Sequence, residues 1–208
     1  MVDGGIEYDG LDEDDIKSWL RRPISKVYPH IRGGLFHRTS IVGYRGIREA
    51  GHISPNTGQF PFTYAKSEIF WGYARGYVSV FDFGPTTDQE CVRRHVVWGP
   101  FFFDQQPVTI VLRLNREMLK DKLIPNSAAP QSGPDAWRYI PHVEAWYPED
   151  IPFEAIEGLI FTKSRGHRRA PMFKELHKDA VNRFEEELRI VLIEEIRYLA
   201  GDIKRHSR

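Results

Sequence analysis

One carboxylate and a short upstream block of imidazole, hydroxyl and aromatic groups are the residues of this chain best suited to chemistry. Glu144 lies within His142-Val143-Glu144-Ala145-Trp146-Tyr147, directly behind a long loop. Strand alternation places His142, Glu144 and Trp146 on one face and Val143 and Ala145 on the other. Such a glutamate is either solvated or set in a cleft. In a cleft it can stabilise developing positive charge, or orient and deprotonate an attacking group. Upstream, Leu35-Phe36-His37-Arg38-Thr39-Ser40 carries an imidazole and hydroxyls able to hold a polar ligand. In Phe62-Thr63-Tyr64-Ala65-Lys66-Ser67, Tyr64 offers a flat ring for stacking, a role for which Tyr73 and Tyr77 compete. Ser67 also suits the cap of a following helix. Singly, His37 reads as a satisfied strand histidine and Tyr64 as core.

The elements that must position these groups can be read from periodicity. A helix is expected over 12–22, with acidic Asp12 to Asp15 at its start and Pro23 after its end. A strand at 35–39 follows Gly33-Gly34, and a helix over 42–50 ends at Gly51. Strands are expected at 60–64 and 77–83, with a short helix over 66–75 between them, and another strand at 109–114. Residues 125–141 form a Pro-, Ser- and Ala-rich loop carrying Trp137 and Tyr139. The Glu144 strand comes next, then a helical turn at 153–158 and a strand at 159–162. A long amphipathic C-terminal helix is expected from 172 to about 200, with Phe173, Leu176, Ala180, Phe184, Leu188, Val191, Leu192, Ile196 and Leu199 on one face. Short strands with peripheral helices make an α+β domain. A single domain spans 1–208, its core over 33–165.

The block from Leu35 to Gly51, the Tyr64 and Ser67 segment, and Glu144 before Asp150-Ile151-Pro152 and Leu159-Ile160-Phe161 resemble the ADP-ribosyltransferase fold. The order histidine, aromatic, glutamate is that of the His-Tyr-Glu members. The resemblance covers about 35–83 and 109–162. It implies a split mixed or antiparallel sheet with peripheral helices, and NAD as substrate with no metal. His37, Arg38, Thr39, Tyr64 and Ser67 would hold NAD, with Tyr64 on the nicotinamide and Glu144 as catalytic carboxylate. Cleaving the nicotinamide–ribose bond passes through an oxocarbenium-like sugar, which such a carboxylate stabilises. Trp137, Tyr139 and His142 would meet the target. Many arginine- or asparagine-modifying members carry Glu or Gln where this chain has His142. That departure argues against arginine, asparagine and cysteine targets, and the strand-plus-proline ending resembles more closely the nucleic-acid-modifying toxins of the family.

The implied activity is mono-ADP-ribosyl transfer, a glycosyltransferase reaction, from NAD to a nucleic acid or protein acceptor, with an antitoxin or regulatory protein as a further partner. Two alternatives stay open. One is an NAD-dependent RNA 2′-phosphotransferase, which needs several arginines around a phosphate; Arg38 and the 165–169 run are the candidates. The other is a degenerate domain that binds a partner without catalysis. The run Ser164-Arg165-Gly166-His167-Arg168-Arg169 either grips phosphates or is a solvated turn. The aromatic run from Val96 to Phe103 reads as core or as a protein-binding edge.

Composition bounds the rest. The chain has 208 residues, 41% of them hydrophobic, enough for a well-buried domain. Lys+Arg and Asp+Glu are both 29, so net charge gives no global attraction to nucleic acid or membrane. The single cysteine, Cys91, excludes a disulfide within the chain and disfavours a cysteine zinc site. The histidines lack metal-site spacing. No apolar run is long enough to span a membrane and no leader is evident, so the expected location is cytoplasmic.

Overall fold

The structure is a computed structural model that describes residues 6, 8–22, 24–57, 70–103, 108–133, 136, 138–163 and 172–177. Helix α1 (Glu13–Leu20) starts where Asp12 accepts the Asp14 N–H at 2.7 Å, with Glu13, Asp14 and Asp15 in its first turn. Helix α2 (Ile24–Ile31) buries Ile24, Val27, Tyr28 and Ile31, the i, i+3, i+4, i+7 stripe of an amphipathic helix. Strand β1 (Leu35–Thr39) leads into α3 (Ile41–Ala50). Ser40 caps α3 by accepting the Gly43 N–H at 2.9 Å, and Gly51 ends it at φ 77°. Next come β2 (His52–Ile53), a 3-10 turn at Tyr73–Arg75, β3 (Val78–Asp82) and α4 (Asp88–Phe103). Strand β4 (Val108–Leu114), α5 (Arg116–Leu119), a 3-10 turn at Asn126–Ala128 and β5 (Glu144–Tyr147) follow. The described chain closes with β6 (Ile151–Pro152), a 3-10 turn at Phe153–Ala155, β7 (Ile156–Lys163) and β8 (Met172–His177).

The result is an α+β arrangement. A six-stranded sheet runs β5-β3-β1-β4-β7-β8, every neighbouring pair antiparallel. A two-stranded sheet pairs β2 with β6. Alternation gives the large sheet two apolar faces. Phe36, Phe81, Val111 and Ile160 pack under Trp19, Tyr28, Val92, Trp98 and Phe102 from α1, α2 and α4. Leu35, Val78, Val80, Ile110, Leu112, Ala145 and Leu159 pack on the other face with Tyr44 and Ile47 of α3. On the first side, Tyr28 donates to Asp88 at 2.9 Å and Asp88 pairs with Arg32 at 2.8 Å, so the buried carboxylate is compensated. Burial pushes the Cys91 thiol up to about 12, so it carries negligible thiolate at neutral pH.

Three expectations need correction. Met172–His177 is strand β8, not the first turns of a helix; it pairs with β7 from Gly158↔His177 to Lys163↔Met172. The open edge of β7 offers backbone partners that local periodicity cannot register. The remainder of the expected C-terminal helix lies outside the described residues, as do the 60–64 strand and the 165–169 run. His142 is not on the Glu144 strand. It sits in a turn at φ 71°, so the shared-face argument fails for it. The expected helical turn over 153–158 is a 3-10 turn ending at Ala155, and Ile156 already belongs to β7. No helix among the described residues is long and apolar enough to cross a membrane.

Candidate functional site

The site forms where two central strands part. Strands β1 and β3 pair at Leu35↔Asp82 and Phe36↔Phe81. Beyond Phe36, β1 continues to pair only with β4, through His37↔Leu112, Arg38↔Val111 and Thr39↔Ile110. Strand β3 continues with β5, through Phe81↔Glu144, Val80↔Ala145, Ser79↔Trp146 and Val78↔Tyr147. Two strand edges therefore face each other across an opening. The His37 ring spans it, its Nδ1 lying 3.0 Å from the Ser79 carbonyl. A carbonyl only accepts, so Nδ1 carries the proton. Burial pushes His37 down to about 4; its bond to Ser79 opposes this and the nearby Arg38 charge adds to it. At neutral pH the imidazole is uncharged, and Nε2 presents a lone pair.

On the far side of Ser79 lies Glu144, which is buried, with 4% of its surface exposed. Ser79 donates its hydroxyl to Glu144 Oε1 at 2.6 Å. The Trp146 indole N–H donates to the same oxygen at 3.2 Å, and the Ile140 N–H donates to Oε2 at 2.6 Å. A buried carboxylate is costly unless its oxygens are met by donors, and these bonds meet both. Burial nevertheless raises the Glu144 pKa above the ordinary glutamate range, against the lowering effect of its bonds to Ser79, Ile140 and Trp146.

The wall beside Glu144 is aromatic. Trp146 lies 4.4 Å from Trp71, ring centre to ring centre, and 6.0 Å from Tyr139 in a T-shaped contact. The Arg75 guanidinium sits 4.2 Å over the Trp71 ring. Gly72 permits this packing, since a Cβ there would overlap the Trp146 indole.

The sequence candidates are thus sorted by position. His37 and Glu144 are joined through Ser79: one bonds its carbonyl, the other its hydroxyl. Thr39 shares the His37 face by alternation. Its hydroxyl lies so close to Gly43 at the start of α3 that a Cβ there would collide with it. Arg38 points to the face opposite His37, the face that carries Phe36, Phe81 and, by register, Glu144; there its Nη1 donates to the Phe101 carbonyl of α4 at 2.7 Å. Tyr139 is buried at 4% exposure, and its hydroxyl donates to Gln131 at 3.0 Å. Tyr64, Ser67 and Trp137 lie outside the described residues. Sequence reasoning missed Ser79 and Asn126. Ser79 was signalled only as the polar residue of the apolar run Tyr77-Val78-Ser79-Val80-Phe81. Asn126, in the 3-10 turn at the start of the 125–141 loop, gave no signal at all; its amide bonds the backbone around Glu144. In comparisons with protein-family models, curated proteins and solved structures, the chain matches none.

Proposed function

We propose that this chain is a mono-ADP-ribosyltransferase that moves ADP-ribose from NAD to a macromolecular acceptor, nucleic acid or protein, and releases nicotinamide. The observation that carries the reading is the opening between β1 and β3, bridged by His37 and Ser79 with Glu144 behind Ser79. A sheet that parts between its central strands supports the split-sheet architecture that the resemblance implies. NAD, when bound, supplies a nicotinamide–ribose bond whose cleavage builds positive charge on the sugar. The donor set fits such a substrate. Neutral His37 offers Nε2 as an acceptor for a sugar hydroxyl, and the Thr39 hydroxyl can add a second bond. As the carboxylate, Glu144 would oppose developing positive charge most strongly in this low-dielectric setting. Of its donors, Ser79 is exposed while Ile140 and Trp146 are buried, so Ser79 is the partner that can yield to a ligand.

A second reading, a domain that binds but does not catalyse, is favoured by the same saturation of Glu144 by protein donors. One experiment separates the two. The protein is incubated with NAD, alone and with single-stranded DNA, RNA or protein acceptors, and released nicotinamide and labelled acceptor are measured. Release with label on an acceptor is expected. NAD bound by calorimetry but never cleaved, or no NAD binding at all, overturns the transferase reading and favours the partner-binding domain.

A further inference from the structure

The turn that delivers Glu144 to the opening is held by one side-chain amide. Asn126 Nδ2 donates to the Ile140 carbonyl at 3.1 Å and to the Glu144 carbonyl at 2.7 Å, and its Oδ1 accepts the His142 N–H at 3.0 Å. One amide therefore grips both ends of the turn and its apex. Inside the turn, the Glu144 N–H donates to the Ile140 carbonyl at 3.1 Å, and the Ile140 N–H donates to Glu144 Oε2 at 2.6 Å. The apex residue His142 stands at φ 71°, a left-handed conformation that side chains with a Cβ disfavour and that persists only where surroundings enforce it. Its second backbone group is held as well, because Thr86 donates its hydroxyl to the His142 carbonyl at 2.7 Å. One step outward, Ile124 and Trp146 exchange backbone hydrogen bonds at 2.8 and 3.0 Å. These bonds close the base from which the chain runs on after Asn126 and to which it returns at Ile140.

The geometry points to Asn126 as the positioning residue for Glu144, a clasp that sets the carboxylate against the opening. This rests on the reading of Glu144 as the catalytic carboxylate. The residue type is specific. Asp keeps the oxygen but loses both amide donors, and a hydroxyl residue brings a single donor. Because the amide acts through backbone groups, its loss should misplace Glu144 without touching the groups assigned to NAD.

The test has a readout that needs no turnover. The Trp146 indole N–H donates to Glu144 Oε1, so its proton and nitrogen chemical shifts report the carboxylate's position and charge. Tryptophan-labelled protein is titrated with pH, with Trp146→Phe to assign the resonance and Glu144→Gln to define the spectrum without the carboxylate. Asn126→Ala should move the Trp146 resonance and change its titration, while steady-state kcat for nicotinamide release falls about tenfold or more and KM for NAD stays within about twofold. Asn126→Asp, similar in shape, should do the same if the alanine variant does not fold. An unchanged Trp146 resonance in a folded variant overturns the proposal whatever the activity. A moved resonance in a protein whose wild type releases no nicotinamide sustains the clasp and instead overturns the transferase reading.

Discussion

Ser79 and Glu144 sit on a diagonal of the β3–β5 pair, two register steps from direct opposition, and are joined by a 2.6 Å hydrogen bond from hydroxyl to carboxylate. Diagonal neighbours in an antiparallel pair are within reach of longer side chains, and glutamate spans that gap where aspartate would not. The same serine uses its carbonyl to hold His37. One residue thus links the groups of two strands that do not pair with each other among the described residues.

Glu144→Gln keeps the shape and removes the charge. Nicotinamide release should fall about a hundredfold or more, the scale expected when a charge that opposes transition-state charge is lost. Steady-state kinetics on protein with a native circular dichroism spectrum checks this, and unchanged turnover would remove Glu144 from the catalytic role.

Ser79→Ala removes a bond that lowers the Glu144 pKa while leaving the Ser79 carbonyl for His37. The Glu144 pKa, already raised by burial, should rise further. On the proposed reading the active form is the carboxylate, so the acid limb of the pH–rate profile should move to higher pH. A profile that does not move, or moves to lower pH, would show that this bond does not govern the charge of Glu144.

The His37 imidazole is pushed down to about 4 in the fold from its ordinary value of 6.5. Between these values the unfolded chain binds the proton and the folded chain does not. Its contribution to stability is therefore complete above about pH 6.5 and is lost as pH falls toward 4. His37→Gln should flatten that part of the stability–pH curve, measured by urea unfolding at a series of pH values, and should weaken NAD binding. An equally steep acid decline in the variant would assign it to other groups.

Gly72→Ala places a methyl against the Trp146 indole. Overpacking of this kind costs about 1–3 kcal/mol. Thermal melting should show the loss, and the displaced indole should weaken its bond to Glu144, lowering turnover together with stability. A variant as stable as the wild type would show that Trp71 and Trp146 can repack.

Local pattern determined much of the scaffold. Strand β1 lies on its expected residues, α3 ends at Gly51 as expected, β4 starts one residue before its expected run, and β7 starts three residues before and ends one after its own. These elements are legible because capping and alternation are short-range effects. Helix α4 also carried a readable start: Thr87 accepts the Glu90 N–H and Glu90 accepts the Thr87 N–H, a capping box. Pro100 inside it obscured the helix, as Pro29 did for α2. Proline signals a stop locally, yet packing of Trp98 and Phe102, or of Val27 and Tyr28, holds the helix across it. The burial of Glu144, the parting of β1 from β3, the left-handed turn at His142 and the edge pairing of β8 were decided by tertiary structure alone. Each depends on partners distant in the chain, Ser79 and Asn126 for Glu144 and β7 for β8, and no local spacing encodes which strand edge or side chain will arrive there.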